Sequence, residues 1–129
     1  MGQLDAGSET AAPASSSEAL AVPACLADLY KEVRNTLCER DIEVRPTRTY
    51  IAFRGLANVA SVVFRPRPRS QQILLNLSLC PDHYTMEDGF TRDMLGVGHH
   101  GTGDLQVRIR STADLERARP LIEDALNRA

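Results

Sequence analysis

Apolar residues fall along this chain at two different periods. Leu26, Leu29, Tyr30, Val33 and Leu37 recur at helical spacing, with Asp28, Lys31, Glu32, Arg34 and Glu39 on the opposite side, which predicts a helix over residues 25–40. A second helical stripe, Leu115, Ala118, Ile122, Ala125 and Leu126, follows a cap at Ser111 or Thr112. Asp114 and Glu116 lie in its first turn, where negative charge suits the helix dipole. Pro120 interrupts this stripe. Proline inside a helix costs about 3 kcal/mol, so a bend or a restart is expected there.

Between the two stripes the period drops to two. Residues 49–53, 59–64 and 71–79 read as strands, the third with Ile73, Leu75, Leu77 and Leu79 on one face and Leu74, Asn76 and Ser78 on the other. A fourth strand over 105–110 sets Leu105, Val107 and Ile109 against Gln106, Arg108 and Arg110. Residues 42–45 form a short extended piece, 54–58 a hairpin connection, and Thr85 caps a short helix over 86–95. Arg65-Pro66-Arg67-Pro68-Arg69 reads as a stiff exposed loop, because each proline removes a ladder donor. The order α-β-β-β-α-β-α predicts an α+β two-layer sandwich. Helices pack on one face of a mainly antiparallel four-stranded sheet, and the other face is open to solvent or to a partner.

Residues 1–23 are rich in Ala, Ser, Gly and Pro without apolar period, and are expected to be a disordered tail or linker before a single domain over 24–129. The net charge of −2 argues against bulk electrostatic attraction to nucleic acid. The tail holds Asp5, Glu9 and Glu18 and no basic residue, so the rest of the chain is near +1. No apolar run approaches the roughly 18 residues that span a bilayer. The N-terminus has neither a basic region nor an apolar segment, so no signal peptide is expected. Three cysteines, Cys25, Cys38 and Cys80, fit buried or half-buried thiols in a reducing, cytoplasmic setting. Aromatics make up only 5% of the chain and tryptophan is absent, so aliphatic side chains must fill the core.

The densest chemistry is Gly96-Val97-Gly98-His99-His100-Gly101-Thr102-Gly103-Asp104. It matches G-x-G-x-x-G formally, but a helix precedes and a strand follows, the reverse of a dinucleotide site, so no cofactor is expected. Cys80, His83, His99, His100 and Asp104 are metal-ligand types, yet adjacent histidines in extended chain point apart, and no metal is assigned. His99 with Asp104 could orient an imidazole beside Thr102, Ser78 or Cys80, but no nucleophile elbow accompanies them. In the alternative, Asp104 accepts turn donors and the glycines supply positive φ. Arg45, Arg48, Arg54, Arg65, Arg67 and Arg69 form a window without one acid, which Arg108 and Arg110 could join on the open face.

Pro46-Thr47-Arg48-Thr49-Tyr50-Ile51-Ala52-Phe53 resembles the P-T-[KR]-x-Y-I-A-[FY] segment of an uncharacterised prokaryotic domain family loosely labelled "predicted transport protein". Leu75-Asn76-Leu77, Arg92-Asp93 and Gly98-His99-His100-Gly101-Thr102-Gly103-Asp104 resemble its L-N-L, R-D and G-H-W-G-N-G-D elements in the same order. The resemblance covers about residues 26–126 and departs at His100, where the family usually has tryptophan, and over 80–88. Family members occur alone or behind nuclease-like domains of restriction and defence systems, which implies an accessory or recognition module.

The expectation is therefore a non-enzymatic module that recognises nucleic acid or protein through the open sheet face and the glycine turn. Its candidate contacts are Arg48, Tyr50, Asn76, Gly98, His99, His100, Gly101, Gly103, Asp104 and Arg108. The alternatives are a small hydrolase or metal-dependent enzyme using His99 and Asp104, and an assembly domain that pairs through the open sheet.

Overall fold

The computed structural model describes residues 20–95 and 103–128. A 3-10 turn at Ala24–Leu26 leads into α1 (Ala27–Leu37), and then come β1 (Glu43–Pro46), β2 (Ile51–Arg54), β3 (Asn58–Arg67) and β4 (Ser70–Leu77). A second 3-10 turn at Pro81–His83 precedes β5 (Thr91–Asp93), β6 (Leu105–Ile109) and α2 (Thr112–Arg128). The strands make one sheet in the order β1-β2-β3-β4-β6-β5, antiparallel throughout. No helix among the described residues is long and apolar enough to cross a membrane.

The α+β class and antiparallel sheet are those expected, but the sheet has six strands rather than four and the helices number two among the described residues. The extended piece before Pro46 is a full edge strand, paired from Glu43↔Arg54 to Pro46↔Ile51. No helix forms over 86–95. Gly89 sits at φ +80, outside the helical region, and the chain turns there, with Phe90 N–H donating to Glu87 O at 2.9 Å. The Glu87 N–H donates to Thr91 Oγ1, and β5 then covers what would otherwise be the bare edge of β6.

Both helices pack on one face of the sheet. Their stripes, Tyr30, Val33 and Leu37 from α1 and Leu115, Ala118, Ile122, Ala125 and Leu126 from α2, share a core with Phe53, Val62, Phe64, Ile73, Leu75, Leu77, Val107 and Ile109. Tyr30 meets Phe64 edge to face, ring centres 5.3 Å apart, and burial pushes its phenol pKa up. The loop before β5 is tied to α2 twice: Tyr84 Oη donates to Asp124 at 3.0 Å, and the Arg117 guanidinium lies 4.0 Å over the Phe90 ring. Ser111 Oγ accepts from Asp114 N–H, and Asp114 Oδ2 accepts from Arg110 N–H, a reciprocal lock on the start of α2. α2 then runs as one helix through Pro120, so the helix does not restart there. The helix is held by its buried stripe on one side, while Pro120 itself is exposed.

The opposite face is less open than expected. Ser61 is 0%, Asn76 1%, Gln106 6%, Val63 6% and Leu74 9% exposed, although none belongs to the helix-side core. The register sets Arg108 beside Leu74 and Arg92 beside Gln106, and arginine stems shield such surface while the guanidinium stays in water. Asn76 Oδ1 accepts from Gln106 Nε2 at 3.1 Å, so the polar centre of this face is bonded across β4 and β6. The three thiols also differ from expectation: Cys25, Cys38 and Cys80 are exposed and unpaired with one another. They lie at helix and strand ends, where the packed stripes stop.

Two stability outcomes follow from this packing. Asn76→Ala leaves the Gln106 amide buried without its acceptor and is expected to cost about 1–3 kcal/mol in urea unfolding, whereas Asn76→Leu with Gln106→Leu costs less than the sum of the two single leucine variants. Pro120→Ala supplies the backbone N–H donor that proline lacks inside α2, at an exposed position, and is expected to stabilise the fold by about 2 kcal/mol, read as a higher urea midpoint.

Candidate functional site

The strand register sorts the candidate residues into two ends of the sheet. Cross-strand pairs align Ala52, Ser61, Asn76, Gln106 and Arg92 in one row on the helix-free face. Val63, Leu74 and Arg108 form a neighbouring row, which Tyr50 joins by strand alternation from Ala52. Arg48, in the β1–β2 turn, lies beyond Tyr50 at that end. Gly103 and Asp104 enter β6 at the other end, near Ser78, so these two residues and Arg48 lie at opposite ends of the sheet. Gly98, His99, His100 and Gly101 lie outside the described residues.

The β1–β2 turn is built by one side chain. Thr47 Oγ1 donates to Tyr50 O at 2.8 Å and accepts from Tyr50 N–H at 3.1 Å, while Thr47 N–H also donates to Tyr50 O at 2.8 Å. This clamp leaves Arg48 exposed at the tip and directs the chain straight into β2. The threonine-tyrosine spacing is thus a turn device, with Arg48 and Thr49 exposed at its tip.

At the opposite end, Gly103 has φ +112, and a Cβ there would lie 2.6 Å from the Asn76 carbonyl oxygen. Only glycine lets the chain pass this close to β4 before β6 begins. Gly103 and Asp104, with Ser78, Leu79, Cys80, Pro81 and Leu95, line an open cleft of about 280 Å³. Ser78, Cys80 and Asp104 thus line the same cleft. Among the described residues no three His, Cys, Asp or Glu side chains converge as metal ligands would. Asn76, expected to contact a partner, is instead turned into the sheet and bonded to Gln106, so it acts as a lock rather than as a reader.

Charge divides by face. Strand alternation puts Arg45, Arg54, Arg65, Arg67, Arg92 and Arg108 on the helix-free face and only one strand carboxylate, Glu43, which bonds Arg45 at 3.0 Å. Arg54, Arg67, Arg92 and Arg108 pair with no acid among the described residues, whereas on the helix side Arg117 pairs with Glu87 and Asp114, and Arg119 with Glu39 and Glu116. The Arg119 guanidinium holds the Glu116 carboxyl below its usual pKa. Sequence reasoning missed Arg92, which reaches this face only because β5 is a strand. Its sole signal was an arginine followed by Asp93, whose Oδ1 accepts the Leu95 N–H and turns the chain after β5.

The chain is similar to an uncharacterised protein of Haemophilus influenzae, 28% identical over 103 residues that make up 77% of this chain and 32% of that protein. The chain thus spans about a third of the length of the relative it matches. No family model matches it, and no solved structure matches it.

Proposed function

We propose that this chain is a binding module whose helix-free sheet face takes a nucleic acid through its arginines. The observation that carries the reading is the imbalance of six arginines to one carboxylate among the strand positions of that face, in a chain whose net charge is −2. Guanidinium groups on one face with few counter-charges give that face a positive potential, and a polyanion that docks there releases its own counterions. The centre of the face is dry and internally bonded, so contact is made by guanidinium heads over a closed floor, a pattern suited to phosphate contacts more than to base edges. The resemblance to a domain found behind nuclease-like modules agrees with an accessory role in such a setting.

A hydrolase built on His99 and Asp104 is the second reading. The cleft beside Asp104, with its hydroxyl and thiol, favours it. Turnover of generic esters or phosphoesters that is lost in both Asp104→Asn and His99→Ala would establish it in place of the first.

The test of the first reading is binding of short DNA and RNA strands across a salt series. Affinity is expected to fall steeply with salt, and Arg92→Ala and Arg108→Ala are each expected to reduce the slope by about one counterion. Absence of binding, or binding that ignores salt, would overturn the proposal.

A further inference from the structure

The β3–β4 hairpin is longer than the sheet it belongs to. Pairing of β2 with β3 stops at Ile51↔Val62, and pairing of β4 with β6 stops at Ile73↔Ile109. Three further pairs, Arg65↔Gln72, Pro66↔Gln71 and Arg67↔Ser70, continue beyond both flanking strands. The residues read from the sequence as a loop are therefore a two-stranded arm. Arg65 and Arg67 lie on the arginine-bearing face of the sheet, with Arg69 in the turn, and all three are exposed. No acid stands anywhere between Glu43 and Asp82.

We propose that this arm enters the major groove of B-form DNA, a reading that rests on the nucleic-acid function proposed above. Three pairs at about 3.3 Å per residue give a projection of about 10 Å, and the strands of a ribbon sit about 4.8 Å apart before side chains are added. The B-form major groove, about 12 Å wide and 8.5 Å deep, accepts a two-stranded ribbon, whereas its minor groove, about 6 Å wide, does not. The major groove of an RNA duplex is too narrow for side chains to read. The arm's chemistry fits as well. Arginines at its tip match guanine O6 and N7 and the flanking phosphates.

The prolines separate this occupant from a protein strand. Pro66 has no N–H to offer a strand added at the arm's edge, which disfavours β-augmentation, and insertion into a groove needs no such donor. Pro66 and Pro68 also fix their own φ, so the arm loses little freedom on binding. Arg48, exposed in the β1–β2 turn at the same end of the sheet, is placed to meet the backbone beside the groove.

The experiment compares wild type with the Arg65→Ala/Arg67→Ala double variant by fluorescence anisotropy. The probes are a mixed-sequence DNA duplex of about two helical turns, the RNA duplex of the same sequence, the single DNA strand, and the DNA duplex methylated at guanine N7. Wild type is expected to bind the DNA duplex at least about tenfold more tightly than the RNA duplex, and the double variant to lose about 10–100-fold on duplex DNA. Methylation at N7 is expected to weaken wild type and leave the double variant unchanged. Both replaced residues are exposed, so the thermal midpoint of the variant should match that of wild type. Equal affinity for the two duplexes, a double variant that binds duplex DNA as wild type does, or indifference to N7 methylation would overturn the arm's role. If salt-dependent binding through Arg92 and Arg108 survives any of these results, the broader reading stands without the arm. If wild type binds none of the four probes, both readings fall.

Discussion

Strand β4 must bury both of its faces, and most of the molecule can be derived from that requirement. It lies inside the sheet, between β3 and β6, with Ile73, Leu75 and Leu77 toward the helices and Leu74 and Asn76 away from them. A buried carboxamide in such a strand needs a partner of its own kind. Gln106 supplies it, which fixes the register of β6. A shift of one residue would turn Leu105, Val107 and Ile109 away from the helices. Gly103 permits the close approach that starts this pairing, and α2 follows directly from the end of β6.

Legibility in the sequence tracked burial. The α2 stripe and the alternation in β4 and β6 were readable because the residues that face the core are apolar and those that do not are mostly polar. Two strands were not readable for the opposite reason. β1 and β5 are edge strands of four and three residues, mostly exposed, and carry too few apolar positions to establish a period. The helix expected over 86–95 does not form, because the chain turns at Gly89 with φ +80 despite the capping signal at Thr85. The Arg-Pro segment was legible as something that could not lie in the middle of a sheet, and this holds, since the strand continues only where no third strand flanks it. Of the candidate contacts, Arg48, Tyr50 and Arg108 share one end of one face, while Asn76 is consumed by the fold.

The two faces of the sheet solve opposite electrostatic problems. On the helix side, Arg117 and Arg119 of α2 are matched by carboxylates on α2 itself, by Glu87 and by Glu39, two residues past the end of α1. Exposed pairs of this kind contribute little stability, yet they leave that layer close to neutral. On the other side the register sets Arg108 beside Leu74 and Arg92 beside Gln106, where stems of this length shield such groups, and the strand positions carry one carboxylate, Glu43. The near-neutral total charge therefore hides a polar molecule. Net charge averaged over the chain is a poor guide to what one face of it attracts.

The short motifs that stand out in the sequence divide along the same line. Thr47 clamps a turn through its hydroxyl, and Gly103 passes against a backbone that no side chain could approach, so both are explained by folding without any partner. The same holds for Asn76 within Leu75-Asn76-Leu77. Arg65 and Arg67 answer to no such need, and Arg92 and Arg108 meet one only with their stems, beside Gln106 and Leu74; none of the four guanidinium groups neutralises a described carboxylate. A fold gains nothing from holding like charges together on one surface, and it loses a little through their repulsion. What the fold leaves unused on this face is the charge at the ends of those side chains.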